Sequence, residues 1–259
     1  MTGLQKSVTS VAASLDNEYV LASSLDQNKM VLYRTKTNNK LMQYIGHADT
    51  INACLFNFSQ KQCISGSDDR TVRYWDVLTA KCEKTVSCPN QINNLDLSLS
   101  EQYLASAHMN DVRVWSVKHG KVMATIDNAH VDAVTCVKFT PDEMMLVSTG
   151  KDNTVKLWDV RTWKQIGSSF DHQSYTCPSS GGVRNKSDFC ISPNGQFVVL
   201  GSTSGAVLVL DLKSGVLQVE EIYDDEHKSA VVGCAWLPQT NVSGFATIDR
   251  TGGLFVWKD

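Results

Sequence analysis

The chain has 259 residues, 42% of them hydrophobic, and a formal net charge of -3 at pH 7. This length allows one large domain or two small ones with a sizeable core, and the near-balanced charge gives no bulk attraction to nucleic acid or to an anionic membrane. No stretch approaches the roughly 20 apolar residues that a membrane-spanning helix needs, and the first residues lack the apolar core of a signal peptide. We therefore expect a cytoplasmic protein without a transmembrane segment and without direct nucleic-acid binding.

A short strand-like pattern recurs from the first quarter of the chain to its last residues. The regular copies alternate polar and apolar residues and have Trp as their last or next-to-last residue, whereas the degenerate copies end on Tyr or Leu. In chain order the copies are Lys29–Tyr33, Thr71–Asp76, Asp111–Ser116, Thr154–Asp159, Ala206–Leu210 and Gly253–Trp257. They stand roughly 40 to 50 residues apart, and the β-branched and aromatic runs of period two between them predict strands rather than helices.

A histidine precedes three of these copies at a similar distance. Gly46-His47 precedes Trp75, Ala129-His130 precedes Trp158, and Glu226-His227 precedes Trp257. A period of this length with a Gly-His and a Trp-Asp signature is typical of propeller blades of four strands each. The chain thus resembles the WD-repeat family along essentially its whole length.

This resemblance implies an all-β fold, a WD-repeat β-propeller with six recognisable four-stranded repeats and the last strand missing. Either six blades close with a three-stranded last blade, or the chain is part of a seven-bladed ring. We expect residues 1–259 to form a single propeller domain. Its repeats are expected at about 1–45, 46–87, 88–127, 128–169, 170–221 and 222–259.

The resemblance also implies a structural hydrogen-bond chain inside two of the blades. In repeat two the chain would join His47, Ser65, Asp69 and Trp75, and in repeat four it would join the corresponding residues His130, Ser148, Asp152 and Trp158. A His, a Ser and an Asp also suggest a hydrolase triad. The set recurs at the repeat period, however, and no G-x-S-x-G elbow occurs, so we expect no catalytic residues.

The remaining repeats depart from this pattern. Repeat three has a shorter turn around His108, with Cys88–Gln91 where the Gly-His would stand, so we expect no hydrogen-bond chain there. Repeat five has Leu210 in place of Trp and Ser204 in the turn, and Thr251 holds the turn position in repeat six. We expect repeats five and six to rely on apolar packing.

Neither a metal nor a cofactor is expected. The chain has eight cysteines, and no two of them form a C-x-x-C pair. Cys54 and Cys234 fall at apolar positions of strand-like runs, where a free cysteine acts as a small buried hydrophobe. We interpret the cysteines as reduced and structural.

Propellers gather alternate loops on one rim, and functional residues concentrate on such loops. The longest is Ser168–Asp188, and the acidic run Glu220–Glu226 faces the same side in this scheme. Mixed charge on a rim favours other proteins or peptides as partners. The candidate partner-binding residues are Asp49, Asp68, Arg70, Asn90, Asn110, Asp132, Lys151, Arg184, Lys186, Thr203 and Arg250.

Within the WD-repeat family, the order of regular and degenerate blades resembles the propellers of the autophagy-related sixteen family. Gly46–Phe56 with Ser65–Asp76 resembles the third blade of that group, and Lys186–Gly195 with Gly201–Gly205 resembles its penultimate blade, including the long insertion. The resemblance implies a monomeric, non-catalytic adaptor domain that works with the autophagy conjugation machinery. The alternatives are a substrate-receptor propeller of a ubiquitin ligase, a G-protein-β-like scaffold, and a propeller enzyme with its site in the channel.

Overall fold

The computed structural model describes residues 7–25, 27–171, 188–202, 204–212, 218–223, 227–237 and 244–258. These residues form 23 strands in six antiparallel sheets, five of four strands and one of three. Within each sheet, neighbours in sequence are neighbours in hydrogen bonding. This arrangement confirms the predicted all-β propeller class, and each sheet is called a blade, numbered from 1 to 6 in chain order.

The chain forms two compact units, Met1–Asp127 with blades 1 to 3 and Asn128–Asp259 with blades 4 to 6. Blade 1 comprises β1 (Val8–Ala13), β2 (Tyr19–Ser24), β3 (Lys29–Arg34) and β4 (Lys40–Ile45). Blade 2 comprises β5 (Ile51–Phe56), β6 (Gln62–Ser67), β7 (Thr71–Asp76) and β8 (Cys82–Ser87). Blade 3 comprises β9 (Asn94–Leu97), β10 (Tyr103–Ala107), β11 (Val112–Ser116) and β12 (Lys121–Ile126).

The second unit repeats this order. Blade 4 comprises β13 (Val134–Phe139), β14 (Met145–Gly150), β15 (Thr154–Asp159) and β16 (Gln165–Asp171). Blade 5 comprises β17 (Phe189–Ile191), β18 (Phe197–Gly201), β19 (Val207–Asp211) and β20 (Gln218–Tyr223). The described strands of blade 6 are β21 (Val231–Trp236), β22 (Gly244–Asp249) and β23 (Leu254–Lys258).

Apolar side chains fill the spaces between neighbouring blades of each unit. In the first unit, Val72 and Tyr74 on β7 pack with Ile92, Leu95 and other residues of blade 3. In the second unit, Val155 and Leu157 on β15 pack with Phe189 and other residues of blade 5. Because successive strand residues point to opposite faces, the alternation seen in the sequence places these residues between the sheets.

The seven cysteines of the described residues form no disulfide, and all except Cys82 are buried. Burial raises the pKa of the Cys190 thiol to about 12 and that of the Cys88 thiol to about 12. Both side chains therefore remain thiols at neutral pH, in keeping with the packing role that the sequence predicts. Among the described residues, no helix is long and apolar enough to cross a membrane.

Candidate functional site

A chain of hydrogen bonds runs through the interior of blade 2. Trp75 Nε1 lies 2.8 Å from Ser65 Oγ, and Ser65 Oγ lies 2.7 Å from His47 Nε2. The other ring nitrogen, His47 Nδ1, lies 2.7 Å from Asp69 Oδ2. Since the indole can only donate and the carboxylate can only accept, Trp75 donates to Ser65, Ser65 donates to His47, and His47 donates to Asp69.

The carboxylate at the end of this chain also holds the surrounding loops. Asp69 accepts from the backbone N–H of Ala48 at 3.0 Å, from the backbone N–H of Thr71 at 2.9 Å and from the Thr71 hydroxyl at 2.7 Å. Burial raises the pKa of Asp69, but the hydrogen bonds from His47, Thr71 and Ala48 outweigh it and hold the pKa of this carboxyl below its usual range. Asp69 therefore ties the loop before β5 to the β6–β7 turn.

Blade 4 carries the same arrangement. Trp158 Nε1 donates to Ser148 Oγ at 2.8 Å, Ser148 bonds to His130 Nε2 at 2.7 Å, and His130 Nδ1 lies 2.9 Å from Asp152 Oδ1. Burial lowers the pKa of His130, although the Asp152 hydrogen bond opposes this effect. Burial therefore favours the neutral imidazole, whose Nδ1–H donates to Asp152.

Blade 6 also contains such a chain, so the prediction that it relies on apolar packing is wrong. Trp257 Nε1 donates to Thr247 Oγ1 at 2.8 Å, Thr247 Oγ1 lies 2.7 Å from His227 Nε2, and His227 Nδ1 lies 3.1 Å from Asp249. A threonine replaces the serine, and the aspartate stands closer to the hydroxyl in sequence, at the end of β22. The signal was present in the sequence, because the histidine and aspartate are 22 residues apart in blades 2, 4 and 6, and the hydroxyl and tryptophan are 10 apart.

The prediction that blade 3 lacks a chain is also wrong. Trp115 Nε1 donates to Ser106 Oγ at 2.7 Å, Ser106 Oγ lies 2.9 Å from His108 Nε2, and His108 Nδ1 lies 3.1 Å from the carbonyl oxygen of Gln91. The histidine comes from the β10–β11 turn instead of the preceding loop, and a carbonyl replaces the carboxylate. Burial, with no carboxylate bonded to the ring, lowers the pKa of His108 to about 4.

Blades 1 and 5 have apolar residues at the position that holds the serine of the hydrogen-bond chain in blade 2. Ala22 pairs with Val31, two residues before Tyr33, in the register that Ser65 has in blade 2. The buried Tyr33 hydroxyl has no hydrogen-bond partner among the described residues. In blade 5 the corresponding residues Leu200 and Leu210 are buried in an apolar cluster, as the sequence predicts for this blade.

The His-Ser-Asp sets are closed to substrates. The His47 and His130 side chains are 0% exposed, and Ser65 and Ser148 are also 0% exposed. A nucleophile must reach the scissile bond, whereas these buried hydroxyls hydrogen-bond to the histidine and tryptophan of their own blade. Their geometry supports a structural role in stiffening the blade.

Backbone hydrogen bonds bring four candidate rim residues of the first unit to one end of blades 2 and 3. Asp68 N–H donates to Thr50 O at 2.9 Å, and Cys88 N–H donates to Arg70 O at 2.7 Å. His108 reaches Gln91 as described, which places the Cys88–Gln91 segment beside the β10–β11 turn. The exposed or half-buried residues gathered at this end, called the first-unit rim, are Asp49, Arg70, Asn90 and Asn110.

Asp68 differs from the other candidates because it is 5% exposed and its carboxylate accepts from Asn52 Nδ2 at 2.7 Å.

The second unit contains the other candidate rim residues. Lys151 N–H donates to Ala133 O at 2.8 Å, which places exposed Lys151 beside exposed Asp132, and Arg250 is also exposed. Arg184, Lys186 and Thr203 lie outside the described residues. The same holds for the side chains of the acidic run Glu220–Glu226.

Blades of the same antiparallel order recur along the chain, and in blades 2, 4 and 6 the Trp-hydroxyl-His chain ends on an aspartate. This is the arrangement of a β-propeller with WD repeats. The family model for the WD domain, G-beta repeat, matches residues 38–76 and 120–159, which include the third strands of blades 2 and 4. The two matched segments contain Trp75 and Trp158, which begin the hydrogen-bond chains of blades 2 and 4.

Curated relatives extend the similarity to nearly the whole chain. The sequence is 28% identical to autophagy-related protein 16 of Arabidopsis thaliana over 96% of this chain and 47% of that protein, and 26% identical to protein tipD of Dictyostelium discoideum over 100% of this chain and 41% of that protein. It is also 25% identical to the target of rapamycin complex subunit wat1 of Schizosaccharomyces pombe over 75% of this chain. The chain spans less than half the length of the first two relatives.

Proposed function

We propose that this chain is a non-catalytic scaffold that binds other proteins through the loops at the rim of its blades. The observation that carries the proposal is the clamp made by Asp69. This carboxylate holds the backbone at Ala48 and Thr71, and the exposed residues Asp49 and Arg70 directly follow Ala48 and Asp69 in sequence. Side chains on a fixed backbone lose less entropy on binding, so a clamped rim is a favourable place for partner contacts.

The charge of the first-unit rim supports a protein or peptide as the partner. Asp49 and Arg70 have opposite signs, and Asn90 and Asn110 add neutral donors and acceptors. Such a mixed surface pairs with the polar rim of a protein interface, whereas a nucleic-acid surface requires a row of cations. In the second unit we propose the same role for Asp132, Lys151 and Arg250, together with Arg184, Lys186 and Thr203.

For the pathway, we propose that the chain acts in the cytoplasm as the propeller of an autophagy-related protein 16-like factor in autophagosome formation, with the autophagy conjugation machinery among its partners. The similarity to autophagy-related protein 16 over 96% of the chain supports this assignment. The similarity to a target of rapamycin complex subunit, over 75% of the chain, favours a second scaffold role. The proposal of a binding rim holds for either pathway.

The test is an affinity capture from extract of the source organism, read by quantitative mass spectrometry. The wild-type chain is compared with an Asp49→Lys/Arg70→Asp variant, which reverses both charges of the first-unit rim. The control is Lys61→Glu, an exposed charge at the opposite end of β5 in the same blade. We expect the rim variant to capture the partner proteins in amounts at least tenfold lower than the wild type, while the control captures them in wild-type amounts.

The identity of the captured proteins tests the pathway separately. If the proteins that the rim variant loses include autophagy conjugation factors, the autophagy assignment is supported. If they are instead subunits of a target of rapamycin complex, the second scaffold role takes the place of the autophagy assignment. If the rim variant and the control capture the same proteins in the same amounts, the rim proposal is wrong.

A further inference from the structure

The outer strand of blade 3 exposes two adjacent apolar side chains. On β12, Val122 is 42% exposed and Met123 is 58% exposed. The corresponding strand of blade 2, β8, exposes Glu83, Thr85 and Ser87 instead. The apolar pair on β12 thus contrasts with the polar surface of its neighbour in the same unit.

The local backbone explains why both side chains face solvent. Trp115 pairs with Val122 and Val114 pairs with Ala124, so Met123 is an extra residue in the pairing of β11 with β12. Successive residues of a regular strand point to opposite faces, but a bulge breaks this alternation and re-aims a side chain. Val122 and Met123 can therefore share an exposed surface.

The other edge of β12 is open among the described residues, where β12 pairs with β11 alone. An open edge presents backbone N–H and C=O groups that can pair with an added strand. Extended peptides bind folded domains in this way, with pockets or patches for alternate side chains providing specificity. The edge and the apolar pair together form a surface suited to an extended segment.

Positive charge gathers at the beginning of this strand. Lys118 and Lys121 are exposed on the β11–β12 connection and at the start of β12, and Lys84 Nζ reaches the same connection by donating to Val117 O at 3.2 Å. The acidic Asp127 follows the far end of β12. Opposite charge on a partner would be attracted to the lysine end.

We propose that the β12 edge, defined here by Lys118, Lys121, Val122 and Met123, docks an extended segment of a partner protein in which acidic and apolar residues alternate. The apolar residues cover Val122 and Met123, the acidic residues face the lysines, and the backbone continues the sheet of blade 3. Val122 pairs with Trp115, at the end of β11 away from the Asn110 turn, so this surface is separate from the first-unit rim. It goes beyond the proposed function, and either surface can fail without the other.

The probe is a fluorescein-labelled peptide, Glu-Val-Glu-Ile-Asp-Val-Glu-Ile, titrated with the whole chain by fluorescence anisotropy at low and at physiological salt. We expect saturable binding that weakens as salt rises, because the charges at this exposed edge are screened. The control peptide has lysine at each acidic position, and we expect it to bind at least tenfold more weakly.

Two variants test whether the peptide binds at the β12 edge. Met123→Glu puts an acidic group in the apolar pair, and Lys121→Glu reverses a charge, so each should weaken binding at least tenfold with an unchanged far-ultraviolet circular dichroism spectrum. The matched control is Leu41→Glu, which changes the extra residue at the corresponding position of β4 in blade 1. Absence of saturable binding, equal binding of the lysine peptide, or an equal loss in Leu41→Glu overturns the proposal.

Discussion

Blades 2 and 5 have polar side chains and apolar side chains, respectively, at the same backbone positions. In blade 2 the positions hold Ser65 and Trp75, which belong to a buried hydrogen-bond chain, and in blade 5 they hold Leu200 and Leu210, which belong to an apolar cluster. Both blades form four antiparallel strands in the same order. The polar chain is therefore not needed to form a blade.

What the polar chain adds is a fixed link between a loop and a turn. In blade 2, Asp69 bonds to Ala48 N–H in the loop before β5 and to Thr71 N–H after the turn. In blade 5 the corresponding turn is held by a short contact between the Ser202 and Ser204 hydroxyls at 2.9 Å. We therefore expect blades with an aspartate-terminated chain to have the more rigid rim and to lose more stability when one partner is removed.

The strongest test of this comparison removes the carboxylate. Asp69→Ala removes the acceptor shared by the His47 ring, the Thr71 hydroxyl and the backbone N–H groups of Ala48 and Thr71. Each buried donor left unpaired costs about 1–3 kcal/mol, so we expect a total loss of about 3–5 kcal/mol. Urea unfolding followed by tryptophan fluorescence measures the change in the free energy of unfolding. The control is Ser204→Ala in the turn of blade 5, for which we expect a loss of less than about 1 kcal/mol. Equal losses in the two variants would remove the distinction between the blades.

A smaller effect is expected from pH, through the carbonyl-terminated chain of blade 3. Burial holds the pKa of His108 at about 4 in the folded protein against 6.5 in the unfolded chain, so the unfolded chain binds the proton first as the pH falls. The contribution of His108 to the free energy of unfolding is fully present above about pH 6.5 and decreases toward pH 4. Each pH unit between the two pKa values changes this free energy by about 1.36 kcal/mol, so the total loss is on the order of 3 kcal/mol. His130, whose pKa burial also lowers, contributes with the same sign.

Urea unfolding at pH 7.0, 5.5 and 4.5 tests this dependence in the wild type and in His108→Gln. The variant is expected to be less stable at neutral pH but to lose less stability on acidification, because glutamine does not titrate. His119→Gln, in the exposed turn before β12, is the control and should keep the wild-type pH dependence. A His108→Gln profile parallel to that of the wild type would show that His108 is not the titrating group.

The sequence predicts the fold well because the repeat is long and its strands are short, alternating and ended by tryptophan. It predicts the partners in blades 2 and 4, where the histidine precedes the blade and the aspartate stands in the turn before the third strand, and the structure places those residues within hydrogen-bonding distance. It misses blade 6 because threonine replaces serine and the aspartate lies at the end of β22, before the turn position that Thr251 holds. It misses blade 3 because His108 reaches Ser106 from the other side, which only the folded turn reveals.

Rim exposure is harder to predict than the strands. Asp68 and Asp69 are adjacent in one turn, yet Asp68 bonds inward to Asn52 while Asp69 bonds to His47. Their neighbour Arg70 has a positive φ of 64° and an exposed side chain. Which residue of such a turn faces solvent depends on this local backbone geometry, and the pattern of residue types does not specify it.

The smallest expected effect compares the two aromatic residues that stand at the same position in blades 1 and 2. Trp75→Phe removes the indole N–H that donates to Ser65 and leaves a small cavity, so we expect a loss of about 2 kcal/mol in the free energy of unfolding. Tyr33→Phe removes a buried hydroxyl that has no hydrogen-bond partner among the described residues, so it should be neutral or stabilising by up to about 1 kcal/mol. Thermal and urea unfolding of the two variants measure the difference. A clear loss in Tyr33→Phe would mean that blade 1 uses a polar link of its own, and the division between polar and apolar blades would then lie between blade 5 and the rest.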